Sequence, residues 1–140
     1  MKELLLLALA AAVPADKELS LGGVVLGQSE VSVVEALGQP QSRIDGGSDY
    51  LPIKLTYPGF IVLLDEQGVG GMLSSNKKFC TPVGVCPGMS YDQAQRIYRS
   101  ALSTQLVDGA PVGFMHGDGC WLEFAQKGGK VQAIEVACAP

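Results

Sequence analysis

The sequence predicts an α+β fold of two tandem repeats, each a helix followed by an antiparallel β-meander. Residues 57–72 (YPGFIVLLDEQGVGGM) have the pattern of a β-hairpin, and residues 120–136 (CWLEFAQKGGKVQAIEV) show it again. Residues 26–40 and 87–102 also align, and ordered matches indicate a duplicated unit. Five matched pairs keep a constant offset of 61 positions: Gly27 and Gly88, Ser29 and Ser90, Ile61 and Leu122, Leu63 and Phe124, and Gly68 and Gly129.

The first unit begins with a predicted helix that Ser29 caps. Glu30 in its first turn complements the helix dipole, and Gly38 with Pro40 ends it. Strands are predicted at 50–57, 60–65 and 69–74. Pro52 indicates that the first of these starts at an edge of the sheet, because proline cannot donate to the ladder.

The second unit begins with a predicted helix capped by Ser90, with Gln93 completing a capping box. Strands follow at about 111–116, 120–126 and 130–137. Strand alternation places the apolar residues of the last two strands on the same faces as Cys120 and Cys138. A cross-strand disulfide over a core requires this arrangement.

Composition restricts the partners. The 140 residues are 47% hydrophobic and 17% charged, with a net charge of −4, so we expect a packed core. A chain without a basic excess is not expected to bind nucleic acid or to dock electrostatically on an anionic membrane.

Residues 1–15 (MKELLLLALAAAVPA) have the pattern of a signal peptide, with Lys2 before an apolar run and small residues at the cleavage site. A buried N-terminal helix is the alternative. The run is too short for a membrane span, and no cysteine lies near the cleavage site to carry a lipid anchor. We expect an exported chain, periplasmic or secreted, with repeats at 16–79 and 80–140.

The four cysteines can form disulfides after export. Cys80 and Cys86 flank a short loop, and Cys120 and Cys138 lie at the open ends of the second hairpin, so we predict the pairs 80–86 and 120–138. A zinc site is the weaker alternative, since the cysteine spacings are loose and His116 is the only histidine. We expect neither a metal nor a cofactor.

Short glycine- and proline-containing motifs carry a family resemblance. They are Gly27-Gln28-Ser29, Leu37-Gly38-Gln39-Pro40, Tyr57-Pro58-Gly59 and Gly88-Met89-Ser90. The pattern resembles bacterial envelope proteins with the β-lactamase-inhibitor-like fold. These include outer-membrane assembly lipoproteins with one such unit and a secreted β-lactamase inhibitor protein with two in tandem.

The resemblance implies a binding surface without a reaction. Such an inhibitor inserts a loop with an Asp-Tyr pair into an enzyme, and here residues 45–52 contain Asp49-Tyr50. The implied function is inhibition of a secreted or envelope hydrolase. From the residues alone, Tyr50 either contacts a partner or begins a strand with its ring in the core.

Two further positions are candidates. His116 and Asp118 could serve a small hydrolase, but no nucleophile motif accompanies them, and a β-turn is the simpler interpretation. Trp121 lies on the face opposite Cys120, where it either packs against the other unit or is exposed and contacts a partner. The sequence as a whole predicts an exported, non-enzymatic protein-binding module with Asp49, Tyr50 and Trp121 as its candidate contact residues.

Overall fold

A computed structural model describes residues 14–140. The predicted signal peptide therefore lies almost entirely outside the described residues. The described chain starts with a single 3₁₀ turn at Ala15–Glu18, and a second 3₁₀ turn, Arg99–Ala101, extends the second helix. The helices and strands are, in order, β1 (Ser20–Leu21), β2 (Val24–Val25), α1 (Glu30–Leu37), β3 (Ser42–Ile44), β4 (Ile53–Tyr57), β5 (Phe60–Asp65), β6 (Gly68–Ser74), α2 (Tyr91–Tyr98), β7 (Ser103–Val107), β8 (Ala110–His116), β9 (Cys120–Lys127) and β10 (Lys130–Cys138).

Both helices begin where their capping serines predict. The Ser29 hydroxyl accepts a hydrogen bond from the backbone N–H of Ser32, and the Ser90 hydroxyl accepts one from Gln93. These bonds satisfy N–H groups that have no partner inside the helix. Gly38 ends α1 with φ 87°, a left-handed conformation that glycine adopts without strain.

Eight strands form one continuous antiparallel sheet in the order β3-β4-β5-β6-β10-β9-β8-β7. The predicted fold class, two tandem helix-plus-meander repeats, is therefore wrong: residues 14–140 are mostly β, with two short helices, this eight-stranded sheet and a separate two-stranded sheet formed by β1 and β2. The physical reason is the pairing of β6 with β10, which places Met72 opposite Val136 and gives all strands one shared core. The boundary predicted between residues 79 and 80 stays a prediction.

Four strands were not predicted: the two-residue β1 and β2, which pair with each other, and β3 and β7, which lie at the edges of the eight-stranded sheet. All residues of β3 and β7 are exposed, so neither strand shows the apolar alternation by which strands are recognised. Because β3 pairs with β4, the edge position inferred from Pro52 is also wrong. Pro52 lies just before β4, where it removes no ladder hydrogen bond.

The helices and the sheet enclose the core on one side only. We call this side the covered face. The ring of Tyr98 on α2 lies 5.7 Å from that of Phe124, and the Tyr57 hydroxyl donates to the carbonyl of Gly38 after α1, at 2.9 Å. A row of directly paired, fully buried side chains crosses six strands of this face: Leu55, Val62, Met72, Val136, Leu122 and Met115.

Candidate functional site

On the opposite side of the sheet no helix of residues 14–140 packs, and we call this side the open face. Because successive side chains of a strand point to opposite faces, the residues between the core positions lie here. The strand register aligns eight of them in one row across the whole sheet. This central row consists of Ser42, Thr56, Ile61, Leu73, Glu135, Glu123, Phe114 and Ser103.

Two carboxylates lie side by side in the middle of the central row. Glu135 on β10 is directly opposite Glu123 on β9, with Leu73 beyond one and Phe114 beyond the other. Both glutamates are half-buried. Burial, and then repulsion from Glu123, raise the pKa of the Glu135 carboxyl.

Neither carboxylate has an ion pair or a side-chain hydrogen bond within the part of the chain that the structure describes. Like charges placed directly opposite each other in a sheet are destabilising. The open face therefore carries a charge arrangement that does not help the fold and that an external cation would stabilise.

Aromatic side chains lie next to this pair. The imidazole of His116 stacks on Phe114 with ring centroids 5.9 Å apart, and it lies 6.4 Å from the indole of Trp121. Trp121 is half-buried and pairs with Ala137 of β10. The indole thus lies on the sheet surface, with part of its area left accessible to a partner.

The loop 45–52 borders the open face. Tyr50 belongs to no strand and is 44% exposed, and its hydroxyl donates weakly to the carbonyl of Cys138, at 3.4 Å. Leu51 next to it lies close to Gly71, which pairs with Leu63 on the open face. A cavity of about 300 Å³ lies between this loop and the strands, lined by Lys54 and Leu63 among others.

The loop is held by local hydrogen bonds while its tip stays accessible. The Ser48 hydroxyl accepts from the N–H of Leu51 and contacts its carbonyl, both at 3.1 Å. Asp49 between them is exposed. The structure thus places Tyr50 at the end of β10 where Trp121 pairs.

His116 and Asp118 do not form a hydrogen-bonded pair. His116 ends β8 between two aromatic rings, and Asp118 lies in the turn before β9, where its N–H donates to Asp16 at 3.3 Å. No serine or threonine hydroxyl of residues 14–140 is hydrogen-bonded to His116. The geometry assigns His116 to the aromatic surface and Asp118 to a turn.

Two disulfides join the pairs that the sequence predicts, Cys80 with Cys86 and Cys120 with Cys138. The second links the ends of β9 and β10 next to Trp121, at the cysteine whose carbonyl accepts the weak hydrogen bond from Tyr50. Within residues 14–140, no group of three or more potential metal ligands comes together. No described helix is long and apolar enough to cross a membrane.

No protein-family model and no curated protein sequence matches this chain. Its fold is similar to part of an extracellular protein containing a SCP domain from Bacillus anthracis str. Ames, with 11% identity and a TM-score of 0.57 over 80% of this chain. It is also similar to part of a cysteine-rich secretory protein from Staphylococcus aureus subsp. aureus Mu50, with 12% identity and a TM-score of 0.53 over 91% of this chain.

The chain spans less than half of either solved structure, 43% of the first and 49% of the second. At this identity the likeness shows the fold alone. The resemblance to β-lactamase-inhibitor-like proteins stays a prediction. Two disulfides are typical of oxidising compartments. The protein is accordingly secreted or periplasmic.

The glutamate pair was not predicted from the sequence. The alternation of CWLEF already places Glu123 on the same face as Trp121, and the same argument applied to the following strand places Glu135 with Ala133 and Ala137. The missing step was the register of the two strands, which the Cys120–Cys138 pairing alone sets, because it makes Glu123 and Glu135 direct neighbours.

Proposed function

We propose that the protein is an exported, non-enzymatic binding module that holds a protein partner on its open face. The observation that supports this proposal is the central row, in which two unpaired carboxylates lie between Leu73 and Phe114. Aromatic side chains such as Trp121 and Phe114 are enriched at the centre of protein interfaces, whereas glutamate is depleted there, so a central glutamate pair is expected to meet an opposite charge on the partner.

The charge of this surface specifies the partner's chemistry. An arginine or lysine side chain placed between Glu123 and Glu135 would remove their repulsion and form two charge-assisted hydrogen bonds. Trp121 and Phe114 would border the cation with aromatic surface, which further favours a guanidinium group. The expected contact on the partner is therefore a projecting basic residue within an otherwise apolar segment.

Photo-crosslinking from defined positions tests this proposal. A benzophenone side chain at Leu73 would lie on the open face, and one at Val31 would lie on the outer side of α1; the native side chains are 36% and 67% exposed. Each variant is incubated with cell-envelope extract of the source organism, and the adducts are mapped by mass spectrometry. We expect a single protein adduct from position 73, attached to a segment with arginine or lysine, and none from position 31.

Equal adducts from both positions, or a contact segment without a basic residue, would contradict the proposal. Addition of free arginine at high concentration provides a further control, because it should compete for the carboxylates and reduce the adduct from position 73.

A narrower candidate is inhibition of a secreted or envelope hydrolase through the 45–52 loop. The observation in its favour is that Tyr50 is exposed on a loop that borders the open face. An Asp49→Ala/Tyr50→Ala double variant should then lose the partner that the wild-type protein retains. Unchanged retention would assign binding to the sheet without the loop.

A further inference from the structure

A second surface, distinct from the open face, gathers the opposite charge. An open cleft of about 670 Å³ lies where four segments meet: the β4–β5 turn at 58–59, residues 75–77 after β6, residues 87–88 before α2, and the β9–β10 hairpin end. Its volume lies within the range of small-molecule sites, about 300 to 1,000 Å³.

The lining of this cleft is basic although the chain as a whole is acidic. Lys77, Lys127 and Lys130 line it, and no aspartate or glutamate does. The net charge of the whole chain is −4. The described residues give none of the three ammonium groups an ion-pair partner.

Two of these lysines face each other directly. Lys127 and Lys130 are cross-strand partners on either side of the Gly128-Gly129 turn. Their repulsion is unfavourable for the hairpin, as it is for the glutamate pair farther along the same two strands. A bound anion would convert this repulsion into two favourable contacts.

The walls of the cleft are fixed by hydrogen bonds. The Asn76 amide donates to the carbonyl of Pro58 at 2.9 Å, and the N–H of Ser75 donates to that of Gly59 at 2.8 Å. On the other side, the N–H of Gly88 donates to the carbonyl of Val131 at 2.7 Å. The backbone that carries the three lysines is therefore held in place before any ligand arrives, which lowers the entropic cost of binding.

We propose that this cleft binds a phosphate-bearing ligand. A phosphate ester brings between one and two negative charges and three acceptor oxygens to a single point, whereas a carboxylate brings one charge. Three ammonium groups line the cleft, so the three phosphate oxygens offer one acceptor for each of them, and the phosphate offsets more of their charge than a single carboxylate does. The size of the cleft leaves room for the group to which the phosphate is attached.

A titration followed by ³¹P NMR tests the proposal on the purified protein at low ionic strength. Glycerol 3-phosphate represents a free phosphate ester and polyglycerol phosphate represents a phosphate-bearing polymer. Saturable binding of either supports the proposal, and their relative affinity distinguishes the two sources. Glycerol serves as the uncharged competitor and acetate as the single-carboxylate competitor, and each is followed by its displacement of bound glycerol 3-phosphate in the ³¹P spectrum. Displacement by acetate at the same concentration as by unlabelled phosphate ester, or no saturable binding of either phosphate, would overturn it.

A matched pair of neighbouring variants locates the site. Lys77 lines the cleft and Lys78 does not, and both are exposed lysines. Lys77→Gln should weaken phosphate binding by about tenfold, as expected for loss of one charged hydrogen bond, while Lys78→Gln leaves it within about twofold. Equal weakening by both variants would show unspecific attraction to charge and overturn the proposal. The Tm of each variant is recorded, and removal of a surface lysine should not lower it.

Discussion

The two faces of the sheet differ in whether a buried or half-buried carboxylate has hydrogen-bond donors. On the covered side Glu18 is buried, and its Oε1 accepts hydrogen bonds from the Tyr98 hydroxyl at 2.8 Å and from the N–H of Val83 at 3.2 Å. On the open face Glu123 and Glu135 face only each other and apolar neighbours. The fold thus satisfies the charge that its stability depends on and leaves unsatisfied the pair that a partner can reach.

The largest expected change in stability distinguishes a covered-face residue of β9 from an open-face residue of the same strand. Phe124 is fully buried, and Phe124→Ala should lower the free energy of unfolding by about 3–5 kcal/mol because it leaves a cavity in the core. Trp121→Ala should cost less than half of that, since the indole is only half-buried on the open face. Urea denaturation followed by circular dichroism measures both. Equal losses would mean that the open face belongs to the core.

Removal of the Cys120–Cys138 disulfide tests how β9 and β10 are held at their open ends. The double Ser variant should lose about 3 kcal/mol, the chain-entropy estimate for a loop of this length, measured by the same denaturation. The Cys80–Cys86 pair closes a shorter loop, so its double Ser variant should lose less. A larger loss for the Cys80–Cys86 variant would contradict the view that the Cys120–Cys138 disulfide contributes more to stability.

Tyr98→Phe tests the hydrogen-bond network of the covered side. The Tyr98 hydroxyl donates to Glu18 and is hydrogen-bonded to Thr81 Oγ1 at 2.6 Å, and burial is the main cause that raises the pKa of Tyr98. Loss of the hydroxyl leaves a buried carboxylate with one donor fewer, and we expect a destabilisation of about 1–3 kcal/mol. A change of less than a few tenths of a kcal/mol would mean that water replaces the hydroxyl.

The smallest expected effect on the free energy of unfolding is a stabilisation. Glu135→Gln should stabilise the protein by about 0.2–1 kcal/mol at neutral pH, because it removes a like-charge pair. The raised pKa of Glu135 means that the folded state holds this proton to a higher pH than the unfolded state does. Stability is therefore lost as the pH rises from the ordinary value of 4.5 through the raised one.

The gain from Glu135→Gln should consequently be present at neutral pH and vanish below the ordinary glutamate pKa. Thermal unfolding of both proteins across this pH range checks the sign. The exposed Glu35 on α1 supplies the control, since Glu35→Gln should leave Tm nearly unchanged at every pH. A Tm that falls for Glu135→Gln would mean that the carboxylate serves the fold.

Much of the local structure could be predicted from the sequence, because local signals determine it. Ser29 and Ser90 mark the helix starts, and the alternation of CWLEF separates Trp121 from the core residues. The fold class could not be predicted in this way, because it depends on the pairing of β6 with β10, which are far apart in the sequence. The all-exposed edge strands β3 and β7 have no apolar pattern to reveal them.

The candidate site was predicted only in part. Trp121 and Tyr50 were recognised as aromatic residues that could contact a partner, and the structure places both at the same end of the sheet. The charged pairs were missed because each depends on register: Glu123 faces Glu135, and Lys127 faces Lys130, only once β9 and β10 are aligned. The identity of a single residue does not show which charged residue it will face.

The most direct test measures stability and partner binding on the same variant. Glu123→Gln/Glu135→Gln should raise Tm while it lowers crosslinking from position 73 by about tenfold, because the removed charges repel each other in the free protein and hold a basic residue in the complex. Glu35→Gln should change neither quantity. Undiminished crosslinking by the double variant, with its Tm raised, would contradict the account: the glutamate pair would then be a defect of the sheet without a role in binding.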